Sequence, residues 1–126
     1  MRPPSSPSDD PGDRTRREVL GDAHVDAAIE RTSDFTADFQ DFITRYAWGE
    51  VWNRPGLDRR ARSMITLAAL TSVRAEGELE LHVRGALRNG LTPEEIREVL
   101  LHTAVYAGVP AANAAFAIAQ RVLEEG

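Results

Sequence analysis

Apolar residues recur along most of the chain at the three- and four-residue intervals that are typical of amphipathic helices. No segment shows the alternation of apolar and polar residues expected of a half-buried strand. The pattern therefore predicts an all-α fold of about six helices. They cover residues 14–29, where Gly21-Asp22 interrupts, a segment from Thr32 or Ser33 to about Tyr46, and residues 58–74, 78–89, 92–107 and 111–124.

The second predicted helix is aromatic on one face, and we expect a turn to follow it. Pro55-Gly56 is a strong turn signal, which places that turn within residues 48–57. The apolar face of the helix consists of Phe35, Phe39, Phe42, Ile43 and Tyr46.

Residues with known capping preferences mark the ends of the later helices. In Thr92-Pro93-Glu94-Glu95, the threonine predicts an N-cap, the proline suits the first helical position and Glu95 completes a capping box. Asp58 can cap the third helix, which Gly77 is expected to end or bend. Gly108-Val109-Pro110 breaks the fifth helix. The alanine-rich last helix is expected to pack on several sides, including across a subunit interface.

The composition of the chain changes after residue 13. Residues 1–13 are rich in Pro, Ser and Asp, so we expect a disordered tail or the remnant of a linker, followed by one domain over residues 14–126. No stretch approaches the run of about 18 apolar residues that a membrane span needs. We therefore expect no membrane partner and a cytoplasmic protein.

The net charge of −5 argues against nucleic-acid binding, which needs clustered basic residues. The short run of Arg14, Arg16 and Arg17 is interpreted as a solvated helix start. The chain has no cysteine, which excludes disulfides, thiolate metal sites and thiol nucleophiles.

Glu78 and His82 are the strongest candidates for chemistry. At helical spacing they share a face, which places a carboxylate beside an imidazole that titrates near neutral pH. Leu79 and Val83 mark the core stripe of the same helix, so we expect the pair at its edge, half-buried. The small residues Gly85 and Ala86 leave room there for a ligand or a facing helix. The alternative is an ordinary helix ion pair.

The other two histidines have plainer interpretations. His24 lies between acidic residues of the first helix, which is typical of a surface histidine. His102 follows Glu98 by four residues, which indicates a solvated or interface pair. No His-x-x-x-His or Glu-x-x-His pattern repeats on two helices, so we predict no metal site.

Arginines and tryptophans near the predicted turn could line a pocket. Arg54 and Arg62 could hold an acidic substrate, because arginine binds carboxylates through two parallel hydrogen bonds, although ion pairs with acidic residues explain most arginines equally well. Trp48 and Trp52 flank the turn, where core or interface anchoring is the alternative to lining a pocket.

Several segments together resemble the carboxymuconolactone decarboxylase family, over about residues 15–124. Trp48-Gly49-Glu50-Val51-Trp52 and Arg54-Pro55-Gly56-Leu57 are the more specific of them. In chain order, the segments that carry the resemblance are Arg17–Asp26, Tyr46–Trp52, Arg54–Leu57, Arg62–Ala68, Glu78–Val83, Asn89–Ile96 and Tyr106–Ala112.

The resemblance implies an alkylhydroperoxidase-like helical bundle that assembles as a homo-oligomer, commonly a hexamer, and uses no cofactor. It implies decarboxylation of 4-carboxymuconolactone, a dicarboxylate lactone, to 3-oxoadipate enol-lactone in protocatechuate (β-ketoadipate) catabolism. In that interpretation His82 and Glu78 are catalytic, either of them the proton donor. The expected substrate-binding residues are Arg62, Arg54, Trp48 and His24.

Two alternatives stay open at the level of sequence. One is a related cofactor-free enzyme acting on another acidic lactone or oxo-acid, and the other is a non-catalytic oligomeric scaffold of the same fold. Peroxide reduction by a dithiol, the chemistry of alkylhydroperoxidase-like relatives, is excluded because Ala75 and Glu78 stand where those proteins have cysteines.

Overall fold

A computed structural model describes residues 10–125, which form seven α-helices and one π-helix and contain no strand. The predicted all-α class is confirmed. None of the helices in this described range is long and apolar enough to cross a membrane. The helices are α1 (Pro11–Leu20), α2 (Asp22–Glu30), α3 (Ala37–Ile43), the π-helix (Thr44–Val51), α4 (Arg59–Ser72), α5 (Glu76–Arg88), α6 (Pro93–Ala107) and α7 (Val109–Glu124).

Helix α1 begins three residues before the predicted boundary. The Asp10 side chain accepts hydrogen bonds from the backbone N–H groups of Gly12 and Asp13 at 2.8 and 3.2 Å, and Pro11 occupies the first turn. An aspartate N-cap followed by proline is a strong helix start, so residues 11–13 are helical and not part of a tail. Residues 1–9 of the predicted tail lie outside the described range.

The chain divides into two compact units, Met1–Leu57 and Asp58–Gly126. In the first unit, α1 packs against α2 and the π-helix, which in turn packs against α3. The contact between α1 and the π-helix is very close, because a Cβ added at Gly12 would lie 2.1 Å from the carbonyl oxygen of Thr44. Thr15 Oγ1 also donates a hydrogen bond to Asn53 Oδ1 at 2.7 Å, which links α1 to the turn just after the π-helix.

The backbone stays helical for longer than the sequence indicates, and the turn placed within residues 48–57 starts only after the π-helix. Trp52 N–H donates to the carbonyl of Ala47 at 2.9 Å, the five-residue spacing of a π-helix. Trp48 is the buried side chain of this π-helix. Helix α3 itself buries no residue, so the predicted aromatic face is exposed.

The second unit is a four-helix bundle. Around the bundle the order is α4, α5, α7 and α6, and each helix packs against its two neighbours. One side chain cluster fills the centre with residues from all four helices and from the α5–α6 loop. Its members are Leu67, Leu79, Val83, Ala86, Leu91, Ile96, Leu100, Ala115, Ile118, Ala119 and Val122.

Two predicted helix ends need correction, while the predicted caps are confirmed. Helix α4 ends at Ser72, and Arg74 has a positive φ of 61°, so the break lies before Gly77, which is inside α5. Gly108 alone separates α6 from α7, because its φ of 100° turns the chain and Pro110 fits the first turn that follows. Both the Asp58 cap and the Thr92–Glu95 capping box are present.

The capping box also joins α6 to α4. One arginine, Arg60, donates hydrogen bonds to the Glu95 carboxylate and to the backbone carbonyl of Gly90. The hydrogen bond from the Thr92 backbone N–H, and then Arg60, lower the pKa of Glu95. This carboxylate therefore caps one helix and anchors another at the same time.

We predict opposite effects of adding a methyl group at two helical glycines. Gly12→Ala should destabilise the first unit by roughly 1–3 kcal/mol, because the Cβ would overlap the Thr44 carbonyl. Gly77→Ala should stabilise the second unit by up to about 1 kcal/mol, because a Cβ there meets nothing within 4 Å and alanine favours a helix.

Urea titrations followed by tryptophan fluorescence and by circular dichroism measure these effects. Both tryptophans, Trp48 and Trp52, lie in the first unit, so fluorescence reports on that unit and the Gly12 variant should lower its midpoint. An unchanged fluorescence midpoint for Gly12→Ala would contradict the close helix contact.

Candidate active site

Glu78 and His82 lie on the first two turns of α5. The face next to them is buried, with Leu79 and Val83 in the bundle core. His82 is half-buried, as predicted, whereas Glu78 is exposed. Glu78 lies in the first turn of α5, where a carboxylate interacts favourably with the positive end of the helix dipole.

The small residues after His82 serve packing. Gly85 and Ala86 are both buried, and Ala86 is fully enclosed in the bundle core. Of the two uses predicted for them, a facing helix is therefore the one found for Ala86. Space for a ligand would have to lie on the other side of His82, towards the exposed Glu78.

Arg62 lies on α4, the helix that packs along α5. Its neighbour Ser63 is buried and accepts a hydrogen bond from Asn89 Nδ2 at 2.9 Å, which fixes the end of α5 against the start of α4. His82 precedes Asn89 by two helical turns, about 10 Å along the axis. The half-buried Arg62 is thus held near one end of α5, and Glu78 marks the other end.

The remaining predicted residues lie in the first unit. Trp48 is buried on the π-helix and stacks on Trp52, with ring centroids 5.1 Å apart. Arg54 is exposed in the turn that follows, and His24 is half-buried on α2. The structure thus places Glu78, His82 and Arg62 in one unit and the other three candidates in the other.

The arginines of α1 differ from their predicted role as a solvated helix start. Arg16 is buried with 7% of its surface exposed, and only Arg14 is exposed as expected. The sequence carries a signal for this burial, because Val19 and Leu20, three and four residues later, lie on the same buried face. The burial of Arg16 is therefore a feature that the sequence interpretation missed.

Arg17 is also engaged, in a network that closes the α1–α2 junction. It contacts Asp13, Asp22 and Asp26 at 2.9, 3.1 and 2.8 Å, and these hydrogen bonds raise its pKa. Asp22 and Asp26 flank His24 in sequence, but their carboxylates bind Arg17 and so hold α1 against α2.

His102 lines a separate groove between α4 and α6. The groove has a volume of about 520 Å³, and its floor is mainly apolar. His102 is exposed and its ring lies 5.4 Å from that of Tyr106. Glu78, His82 and Arg62 do not line it. The lining residues are Met64, Ile65, Ala68, Glu94, Glu95, Glu98, Val99, His102 and Thr103.

Within residues 10–125 no group of three or more His, Asp or Glu side chains is placed to hold a metal ion. Glu78 and His82 are side chains of the types that transfer protons, and the Arg62 guanidinium on the neighbouring helix is a group that can attract an anion.

The sequence profile of the carboxymuconolactone decarboxylase family matches residues 37–121. The chain belongs to this family. The matched range includes five of the six predicted site residues, and His24 lies before it.

Two individual relatives extend the match beyond that range, and a third matches a shorter stretch. The chain is 48% identical over 114 residues to a 4-carboxymuconolactone decarboxylase from Acinetobacter baylyi, which covers 90% of this chain and 85% of that protein. It is 45% identical over 116 residues to a nitrosuccinic acid decarboxylase from Metarhizium robertsii, covering 92% and 81%. A 4-carboxymuconolactone decarboxylase sequence from Pseudomonas putida is 54% identical over 41 residues, which is 32% of this chain and 85% of that sequence.

Proposed function

We propose that this protein is a carboxy-lyase that converts 4-carboxymuconolactone to 3-oxoadipate enol-lactone in protocatechuate (β-ketoadipate) catabolism. The observation that carries the proposal is the 48% identity to the 4-carboxymuconolactone decarboxylase of Acinetobacter baylyi over most of both chains. The helical Glu78–His82 pair supplies proton-transfer groups suited to that reaction.

The substrate explains how this decarboxylation runs without a cofactor. When CO2 leaves, its bonding electrons move through the ring double bond towards the lactone carbonyl, so the substrate is its own electron sink. The protein then has to hold a dianion, stabilise the developing oxyanion and protonate the ring carbon α to the carbonyl.

His82 and Glu78 perform the proton transfer in this mechanism. The imidazole of His82 donates the proton to the ring carbon, and Glu78 orients it and restores the proton from solvent, which its exposed position allows. The two groups exchange protons as a pair, so the reverse assignment of donor and relay describes the same site.

Arg62 binds one substrate carboxylate. Arg62 is the neighbour of Ser63, which lies about 10 Å along α5 from the level of His82. A long arginine side chain and a small dicarboxylate can together span that distance. Trp48 as an apolar wall, and Arg54 and His24 as further substrate contacts, stay predictions that rest on the family resemblance.

A related substrate is the second candidate. The 45% identity to a nitrosuccinic acid decarboxylase supports it, because that relative covers the chain as fully as the lactone enzyme does. Nitrosuccinate is also a dicarboxylate, and its nitro group can accept the electrons released with CO2. The two substrates therefore place the same demands on an arginine and a proton donor.

The oligomer and the location complete the proposal. We infer a homo-oligomer, a hexamer by resemblance to the family, because several large apolar side chains are exposed on one protomer. The cytoplasmic location follows from the proposed place in aromatic catabolism.

A direct turnover assay tests the function. 4-Carboxymuconolactone is generated in situ from 3-carboxymuconate by its cycloisomerase, and CO2 and enol-lactone are followed with chelator present, in parallel with nitrosuccinate. We expect rapid turnover of the lactone and little of nitrosuccinate. The reverse preference would establish the second candidate. A folded protein inactive on both would favour an enzyme acting on another acidic lactone or oxo-acid first, and a non-catalytic scaffold second.

Replacing His82 should remove activity selectively. We expect His82→Gln to lower kcat by about 10²–10⁴-fold, because the proton donor is lost while the helix persists. His102→Gln is the matched control, since His102 also follows a glutamate by four residues but lines the other groove. Equal losses in both variants, or none in His82→Gln, would remove His82 from the mechanism.

Replacing Arg62 should weaken substrate binding. We expect Arg62→Ala to raise KM at least about tenfold, because a charge-assisted carboxylate contact contributes roughly 1.5–3 kcal/mol. Arg97→Ala, an exposed arginine of α6, is the control and should leave KM unchanged. Steady-state kinetics on both variants decide the point, and an unchanged KM for Arg62→Ala would rule out its carboxylate-binding role.

A further inference from the structure

The first unit carries an exposed row of aromatic side chains along α3 and the start of the π-helix. We call Phe35, Phe39, Phe42 and Tyr46 the aromatic ridge; they are 94, 60, 50 and 52% exposed. The rings of Phe42 and Tyr46 stack with centroids 5.5 Å apart and an interplanar angle of 16°. Four exposed aromatic side chains at helical spacing are unusual for a protomer that stays alone.

Helix α3 packs against the π-helix that follows it but has no buried side chain to stabilise it. It is seven residues long and buries none of them, and an isolated helix of that length is unstable in water. A surface that covers the aromatic ridge would supply the missing apolar burial.

The spacing of the aromatic ridge makes it complementary to itself. Its members follow one another at intervals of four, three and four residues, which reads the same in both directions. In two antiparallel copies related by a two-fold axis, Phe39 therefore lies opposite Phe42, and Phe35 lies opposite Tyr46. A two-fold contact requires this kind of self-complementary surface, whereas a contact with a different protein does not.

The charges beside the aromatic ridge follow the same symmetry. In that antiparallel arrangement Arg45 lies opposite Thr36 of the second copy, and so between its Asp34 and Asp38. Arg45 and both aspartates are exposed, and Arg45 forms a solvent-exposed ion pair with Asp41 at 2.8 Å in its own chain. Opposite charges thus meet at both ends of one flank of the paired helices.

We propose that the aromatic ridge is a two-fold interface between two copies of this chain, with antiparallel α3 helices and Arg45–Asp38 ion pairs across the axis. The inference deepens the homo-oligomer of the proposed function by naming the surface. The interface also supports the π-helix, the element that carries the buried Trp48.

Substitution of the ridge tests its burial. We expect Phe39→Asp with Phe42→Asp to give a smaller species than wild type by sedimentation velocity, because four carboxylates would meet at the contact. Arg97→Asp on α6, at an exposed polar position, is the control and should sediment as wild type. A monomeric wild type, or an aspartate double variant of unchanged mass, would overturn the proposal.

Charge reversal tests the geometry even if the aromatic variant does not fold. Asp38→Arg alone and Arg45→Asp alone should each raise the dissociation constant of the contact at least about tenfold, and the double swap should restore it. Asp41→Asn removes the intrachain ion pair of Arg45 and should leave the mass unchanged. Failure of the double swap to restore association would exclude the antiparallel pairing.

The absence of cysteine allows a direct check of proximity. A single cysteine introduced as Phe42→Cys should give a covalent dimer with a short bismaleimide, and one introduced at the exposed polar position as Arg97→Cys should not. These masses are measured without substrate, so they separate the two proposals. If the wild type turns over the lactone but shows no contact through the aromatic ridge, only the proposed interface is refuted. If it pairs through the aromatic ridge but shows no turnover, only the proposed function is refuted.

Discussion

Burial of one face of α5 is the constraint on which the candidate site depends. Leu79, Val83 and Ala86 fill the centre of the four-helix bundle, so the helix cannot rotate without exposing them. That fixed rotation sets His82 at the edge of the core and Glu78 in water. The Asn89–Ser63 hydrogen bond then fixes the position of α5 along α4, and with it the distance from the histidine to Arg62.

Different interactions stabilise the two units. The second unit has a core of large side chains shared by four helices, closed at one end by Arg60 and Glu95. The first unit is held by close backbone contact at Gly12 and by the ion pairs of Arg17, and the side chains of its aromatic ridge are exposed. Its stability therefore depends more on what covers the aromatic ridge.

Local signals predicted the helices of the second unit well. The Asp58 cap and the Thr92–Glu95 capping box were confirmed because their hydrogen bonds join residues three apart, which the sequence specifies completely. Helix breaks were harder to place, since the left-handed residue after α4 is Arg74 and not the nearby glycine. The burial of Arg16 was missed because it looked like part of a charged run, although its spacing to Val19 places it on the buried face.

The sequence by itself determined the helical class, the shared face of Glu78 and His82, and the family to which the chain belongs. These properties follow from helix geometry and from residue identity, and neither needs a partner. Only the tertiary structure decided that Glu78 is exposed, that Ala86 is used for packing, and that Arg62 is held at the far end of α5. Burial and distance between helices depend on contacts between segments far apart in the chain, and no local pattern encodes which of those contacts forms.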